Sequence, residues 1–155
     1  MKSGINVALM IAAIVCLCAS IAGAQTKPNF SGTWKMNADK SKFEGGGGPS
    51  GITIKIDQKD SAITESVDVQ DGSGDQAVEV KYTLDGKESD VQLGSNTVKG
   101  TAKLAGDTLF IEWKGDGLSF LRKHTLSADG KTLTMVVRRA GANGDVEETV
   151  VLEKQ

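Results

Sequence analysis

The chain has 155 residues, with 18 lysines and arginines against 20 aspartates and glutamates, for a formal net charge of −2. That length fits one domain, and a mild acidity without asymmetry along the chain argues against a protein that grips a nucleic-acid backbone. Aromatic residues make up only 5%, so the core must be built mainly of Val, Ile, Leu and Met.

The N-terminus addresses the compartment. Met1-Lys2 supplies a short positive start, Ile5 to Ile21 is almost wholly apolar, and Ala22-Gly23-Ala24 gives a small-x-small cleavage pattern. Residues 1–24 therefore read as a signal peptide cleaved after Ala24, which would export the chain to the periplasm or the extracellular space. An uncleaved anchor is the competing reading, because the apolar run approaches the roughly 20 residues of a bilayer span. The small-residue site and the abrupt polar switch at Gln25-Thr26-Lys27-Pro28 speak for cleavage. A lipid anchor fits less well: Cys16 follows Val15 and Cys18 follows Leu17, where a lipoprotein cysteine normally follows a small residue. Cleavage leaves 131 residues, 25–155, with no cysteine, no disulfide and no stable membrane span. With Lys2 gone, 17 basic residues face 20 acidic ones, a net −3.

Beyond the leader, apolar and polar residues alternate with period 2 almost throughout, which predicts strands. Ten are expected, at about 30–36, 51–58, 62–70, 76–84, 88–93, 97–105, 107–114, 118–127, 131–139 and 146–153. Ile52, Ile54 and Ile56 oppose Thr53, Lys55 and Asp57, and Leu109, Ile111 and Trp113 oppose Thr108, Phe110 and Glu112. Asp71-Gly72-Ser73-Gly74, Asp85-Gly86, Gly106-Asp107, Gly115-Asp116-Gly117, Asp129-Gly130 and Asn143-Gly144 separate the runs. Glycine tolerates positive φ and Asp or Asn bonds the turn backbone, so these pairs predict tight hairpins. Connections this short leave no room for crossover helices and exclude a parallel α/β sheet. One connection differs. Asn37 to Ser50 carries Lys40-Ser41-Lys42-Phe43 and then Gly45-Gly46-Gly47-Gly48-Pro49, with space for one helical turn around Asp39 to Phe43. This loop is either a lid over a barrel mouth or a plain connector.

The expected fold is all-β, an antiparallel up-and-down meander of eight to ten strands. Such a sheet must dispose of its edges, by closing into a barrel or by folding into a sandwich, and periodicity alone does not separate the two.

The segment Phe30-Ser31-Gly32-Thr33-Trp34-Lys35-Met36 resembles the Gly-x-Trp opening of the calycins, the superfamily of lipocalins and fatty-acid-binding proteins. The resemblance implies a barrel with Gly32 and Trp34 as its closing motif. The chain also resembles small exported bacterial lipocalin-like proteins of unassigned function. The shared features are the Asn29-to-Trp34 start, Lys40-Ser41-Lys42-Phe43, and the hairpins Asp85-Gly86-Lys87 and Asp129-Gly130-Lys131. That likeness spans about 29 to 155 and implies a binding protein for a small hydrophobic or amphipathic molecule held in the lumen. Two departures stand out. A Gly-rich loop replaces the helix pair of fatty-acid-binding proteins. Their C-terminal Arg-x-Tyr is missing too, since Tyr82 is the sole tyrosine.

Charges on apolar faces mark the candidate site. Leu118, Phe120, Arg122, His124 and Leu126 share one face, as do Leu133, Met135, Val137 and Arg139; Glu65 sits among Ile63, Val67 and Val69, and Glu148 among Val146, Val150 and Leu152. In a barrel these point inward. Arg122 and His124, with Arg139, would then hold the polar end of a ligand, with Trp34, Tyr82, Trp113 and Phe120 as walls. Alternatively the charges pair with Glu65 or Glu148, or lie at the wet rim, and the aromatic rings are ordinary core. A domain with a packed interior and no ligand is the matching second expectation for function.

No catalytic constellation is present. His124 is the sole histidine and the mature chain has no cysteine, which excludes multi-histidine metal sites, thiolate ligation and thiol catalysis. No Gly-x-Ser-x-Gly elbow accompanies His124, and Gly45 to Gly48 lacks the Lys-Ser/Thr of a phosphate loop. No cofactor is expected. Arg138-Arg139 beside Arg122-Lys123 reads as a solvated face rather than a nucleic-acid site.

Overall fold

The computed structural model describes residues 27–44, 47–72, 74–115, 117–140 and 144–155. The leader expected at 1–24 and its cleavage site lie outside the described residues. The ten strands are β1 (Gly32–Met36), β2 (Gly51–Lys59), β3 (Ala62–Asp71), β4 (Gly74–Thr83), β5 (Asp85–Leu93), β6 (Asn96–Ala105), β7 (Thr108–Gly115), β8 (Leu118–Leu126), β9 (Thr132–Arg139) and β10 (Val146–Lys154). Each matches an expected strand to within three residues. No described helix is long and apolar enough to cross a membrane.

All pairings are antiparallel, and one sheet runs β4-β3-β2-β1-β10-β9-β8-β7-β6-β5. β1 joins β2 on one side and β10 on the other, with Trp34 opposite both Ile54 and Lys154. The first and last strands thus meet, and the sheet curls into a nearly closed barrel. Its discontinuity falls in mid-chain, where the two ends of the sheet, β4 and β5, are consecutive in sequence.

The junction between them corrects one expectation. Asp85-Gly86 does not make a hairpin. The Asp85 carboxylate accepts from Thr83 Oγ1 at 2.7 Å and from the Lys87 backbone N–H at 3.2 Å, while Gly86 takes a φ of 81°. This side-chain-driven bend sends the chain straight into β5, whose pairing with β6 slips between Asp85 and Glu88. Asx chemistry and a positive-φ glycine fit a bulge as well as a turn, so the local signal is ambiguous.

One end of the barrel is packed solid. Phe30 N–H donates to Gln58 Oε1 at 2.9 Å, Gln58 Nε2 donates to the Pro28 carbonyl at 3.1 Å, and Trp34 Nε1 donates to the Phe30 carbonyl at 2.9 Å. These bonds pull residues 28–31 across the end of β2 and bury both rings fully. Gly32, at φ 145°, adopts a conformation that side chains rarely take, and a Cβ there would come within 2.7 Å of Lys154 Cε. The Lys154 stem lies across that glycine, and its ammonium sits 5.2 Å from the Trp34 ring centroid.

The expected helical turn is a single 3₁₀ turn over Ala38–Lys40, one residue earlier than anticipated, capped by Asn37. The chain after it is stitched to the outer half of β10. Lys42 N–H donates to the Thr149 carbonyl at 2.7 Å, Thr149 N–H returns the bond at 2.9 Å, and Val151 N–H donates to Ser41 Oγ at 3.0 Å. These residues take the place of β1 beside β10 beyond Met36.

Candidate functional site

The end opposite Phe30 is hollow. A cavity of about 430 Å³ opens between the start of β2 and the ends of β3 and β9. Its walls are Ile52, Val67, Val69, Met135, Val137 and Val150, and its charged lining is Asp71, Arg122, Arg139 and Glu148. Phe43, Gly47, Gly48 and Pro49 form a strap over it. The Phe43 ring lies so close to Gly48 that a Cβ there would fall 2.3 Å from Cδ2, so this glycine is needed for space. A second hollow of about 380 Å³ shares Val67, Val69, Asp71, Phe120 and Arg122 with the first and extends to Val78 and Trp113. The two lobes adjoin, since these five residues line both.

The floor is polar and buried. Arg122, between Ile111 and Val137 in the sheet, reaches across the lumen to Glu65 on β3. Nη1 donates to Oε1 at 3.1 Å and Nη2 donates to Oε2, a two-pronged pair in which Arg122 is 3% and Glu65 1% exposed. The guanidinium also lies 5.2 Å from the Trp113 ring centroid and 5.6 Å from that of Phe120. These two rings meet tilted, with centroids 5.3 Å apart. Trp113 Nε1 donates to the Tyr82 hydroxyl at 2.6 Å. Burial pushes that hydroxyl up to about 12, with the Arg122 charge pulling the other way and Glu65 reinforcing the rise.

The residues singled out from the sequence therefore separate into layers. Phe120, Arg122 and Arg139 line the main hollow, and Trp113 lines the second lobe. Tyr82 stands behind Trp113, fully buried. His124 lies one inward position deeper than Arg122, between Leu109 and Met135, and lines neither lobe. Burial first, and Arg122 second, hold its imidazole well below the ordinary histidine range. Among the described residues, both His124 nitrogens and Arg122 Nε have no hydrogen-bond partner. Arg139 is at the rim, its Nη2 2.7 Å from Glu148 Oε1, and Arg138 likewise meets Glu147 at 2.6 Å on the outer face. The geometry thus pairs the arginines with Glu65, Glu148 and Glu147 instead of leaving a free basic cluster.

One contributor was read from the sequence only as an alternative, and one was not read at all. Phe43 and Gly47 to Pro49 supply the strap. Gly100, on β6 opposite Trp113, leaves room for the rings behind the floor. A Cβ at Gly100 would sit 2.6 Å from Val91 Cγ2, 3.0 Å from Tyr82 Cε1 and 3.2 Å from Trp113 Cδ1. The signal available was a glycine at an inward position between Val98 and Ala102, where backbone meets bulky neighbours.

No protein-family model matches this sequence, and comparison with curated proteins gives no match. Solved structures do resemble the fold. A heat-soluble SAHS protein from Ramazzottius varieornatus aligns with a TM-score of 0.65 and 17% identity, covering 81% of this chain and 94% of that one. The fluorescent protein UnaG aligns at 0.62 and 24%, covering 81% and 97%. Zebrafish ileal bile acid-binding protein, crystallised with cholic acid, aligns at 0.61 and 20%, covering 81% and 98%. The architecture is thus the calycin-like barrel.

Proposed function

We propose that this chain is an exported binding protein that holds a small apolar or amphipathic molecule in the hollow under the strap of Phe43, Gly47, Gly48 and Pro49. The observation that carries this reading is the cavity of about 430 Å³, walled by aliphatic side chains and ending on a few oriented polar groups. That volume lies within the roughly 300–1,000 Å³ typical of small-molecule sites. The zebrafish bile acid-binding barrel lends support as a protein of like fold whose structure contains cholic acid. Export rests on the leader-like residues 1–24.

Native mass spectrometry of protein purified from its own host tests both parts. A retained small molecule and a mature N-terminus at Gln25 are expected. Protein that is empty, and that also fails to bind an environment-sensitive apolar fluorophore, would leave only a β-barrel with an unfilled mouth. Val67→Phe, placed on the wall shared by both lobes, should weaken binding of that fluorophore by about tenfold, because the added ring takes up space the ligand needs.

A further inference from the structure

Resting on that binding reading, we propose that the molecule in the hollow is uncharged, a neutral lipid such as a long-chain alcohol, and not a carboxylate or other anion. The basic side chains on the lining are already committed. Arg122 gives both terminal nitrogens to Glu65, and aromatic rings lie within 5.6 Å of its guanidinium. Arg139 is held by Glu148 at 2.7 Å. Among the described residues the lining contains no lysine, and His124 lies below it, kept neutral by burial.

Of the charges in and under the hollow, Arg122 is paired with Glu65 and Arg139 with Glu148. An entering ion, of either sign, would meet charges that are already paired. It would have to surrender its water with no uncommitted partner in these pairs to replace it, or break a two-pronged pair buried at the floor. A neutral chain bears neither cost, and the aliphatic walls suit it. The buried Glu65–Arg122 pair is then a specificity device: it lets a polar floor exist while turning negatively charged amphiphiles away.

The test is displacement of a bound apolar fluorophore by lauryl alcohol, laurate and laurylammonium, which share a chain and differ in charge. Lauryl alcohol should compete at least ~10-fold more tightly than either ion. Laurate or laurylammonium binding as well as the alcohol would overturn the inference while leaving the binding site in place. Failure of all three to compete would remove both readings. Glu65→Gln frees the Arg122 charge and should improve laurate binding at least ~10-fold without improving the alcohol. Unchanged laurate affinity in a folded variant would also overturn the inference. The wild-type comparison decides the matter if that variant does not fold.

Discussion

Replacing Glu65 by leucine leaves the Arg122 guanidinium, 3% exposed, without the carboxylate that takes both of its terminal nitrogens. Removing one member of a buried ion pair typically costs about 3–5 kcal/mol, since the remaining charge is neither solvated nor neutralised. For a domain of this size each kcal/mol corresponds to about 4 °C, so Tm should fall by about 12–20 °C. The double replacement Glu65→Leu with Arg122→Met removes both charges and retains most of the volume. It should recover to within ~1 kcal/mol of the wild type or exceed it. Urea unfolding followed by tryptophan fluorescence measures this directly, because Trp34 and Trp113 are both buried. The single variant should shift the midpoint by about 1.5–3 M. A single variant that loses less than ~1 kcal/mol, or a double variant that falls as far as the single, would refute the assignment of Arg122 as a desolvated charge dependent on Glu65.

Tyr82, the sole tyrosine, should resist ionisation until about pH 12 in the native protein. The unfolded chain ionises near 10, so it binds fewer protons than the native state between these values. Stability should therefore decline over that interval, by about 2–3 kcal/mol in total; phenolate absorbance appearing near pH 10 in folded protein would contradict this. His124, the sole histidine, is neutral when folded because its pKa is lowered. Protonation of the unfolded chain should erode stability as pH falls below about 6.5, with the imidazole NMR signals of folded protein staying at their neutral positions. His124→Leu removes two buried nitrogens without partners and should raise Tm, a gain of about 1–3 kcal/mol by denaturant unfolding. Gly100→Ala places a methyl 2.6 Å from Val91 Cγ2 and should cost about 1–3 kcal/mol, read from the same melts.

The strands were legible because each carries a two-residue period, and inward parity alone brought Glu65, Arg122 and His124 to one interior. The partners were legible only as alternatives: Glu65 and Glu148 both qualify, with nothing to say which arginine meets which. That Arg122 meets Glu65 depends on the lumen being narrow enough for a side chain on β8 to reach β3, a distance across the barrel that no local pattern encodes. Arg139 shares the parity of Arg122 yet ends at the rim, because it is the last residue of β9 and the lumen opens there. The same limitation explains Asp85-Gly86. A hairpin and a bend have the same two residues, and only the placing of the barrel's discontinuity separates them. The Gly-rich stretch after Phe43 gave no period at all, which leaves lid and connector equally open, and the choice between them rests on Phe43 and Gly47 to Pro49 lining the hollow.

The pairing of β1 with β10 ties Trp34 to Lys154, nearly the whole described length apart. Hairpins can form as the chain is made, but this last ribbon-to-ribbon bond cannot, and its large loop-closure entropy must be met before closure returns anything. The wall thus remains open until β10 has been made and can meet β1. A polypeptide built this way stays threadable for as long as β10 is unpaired.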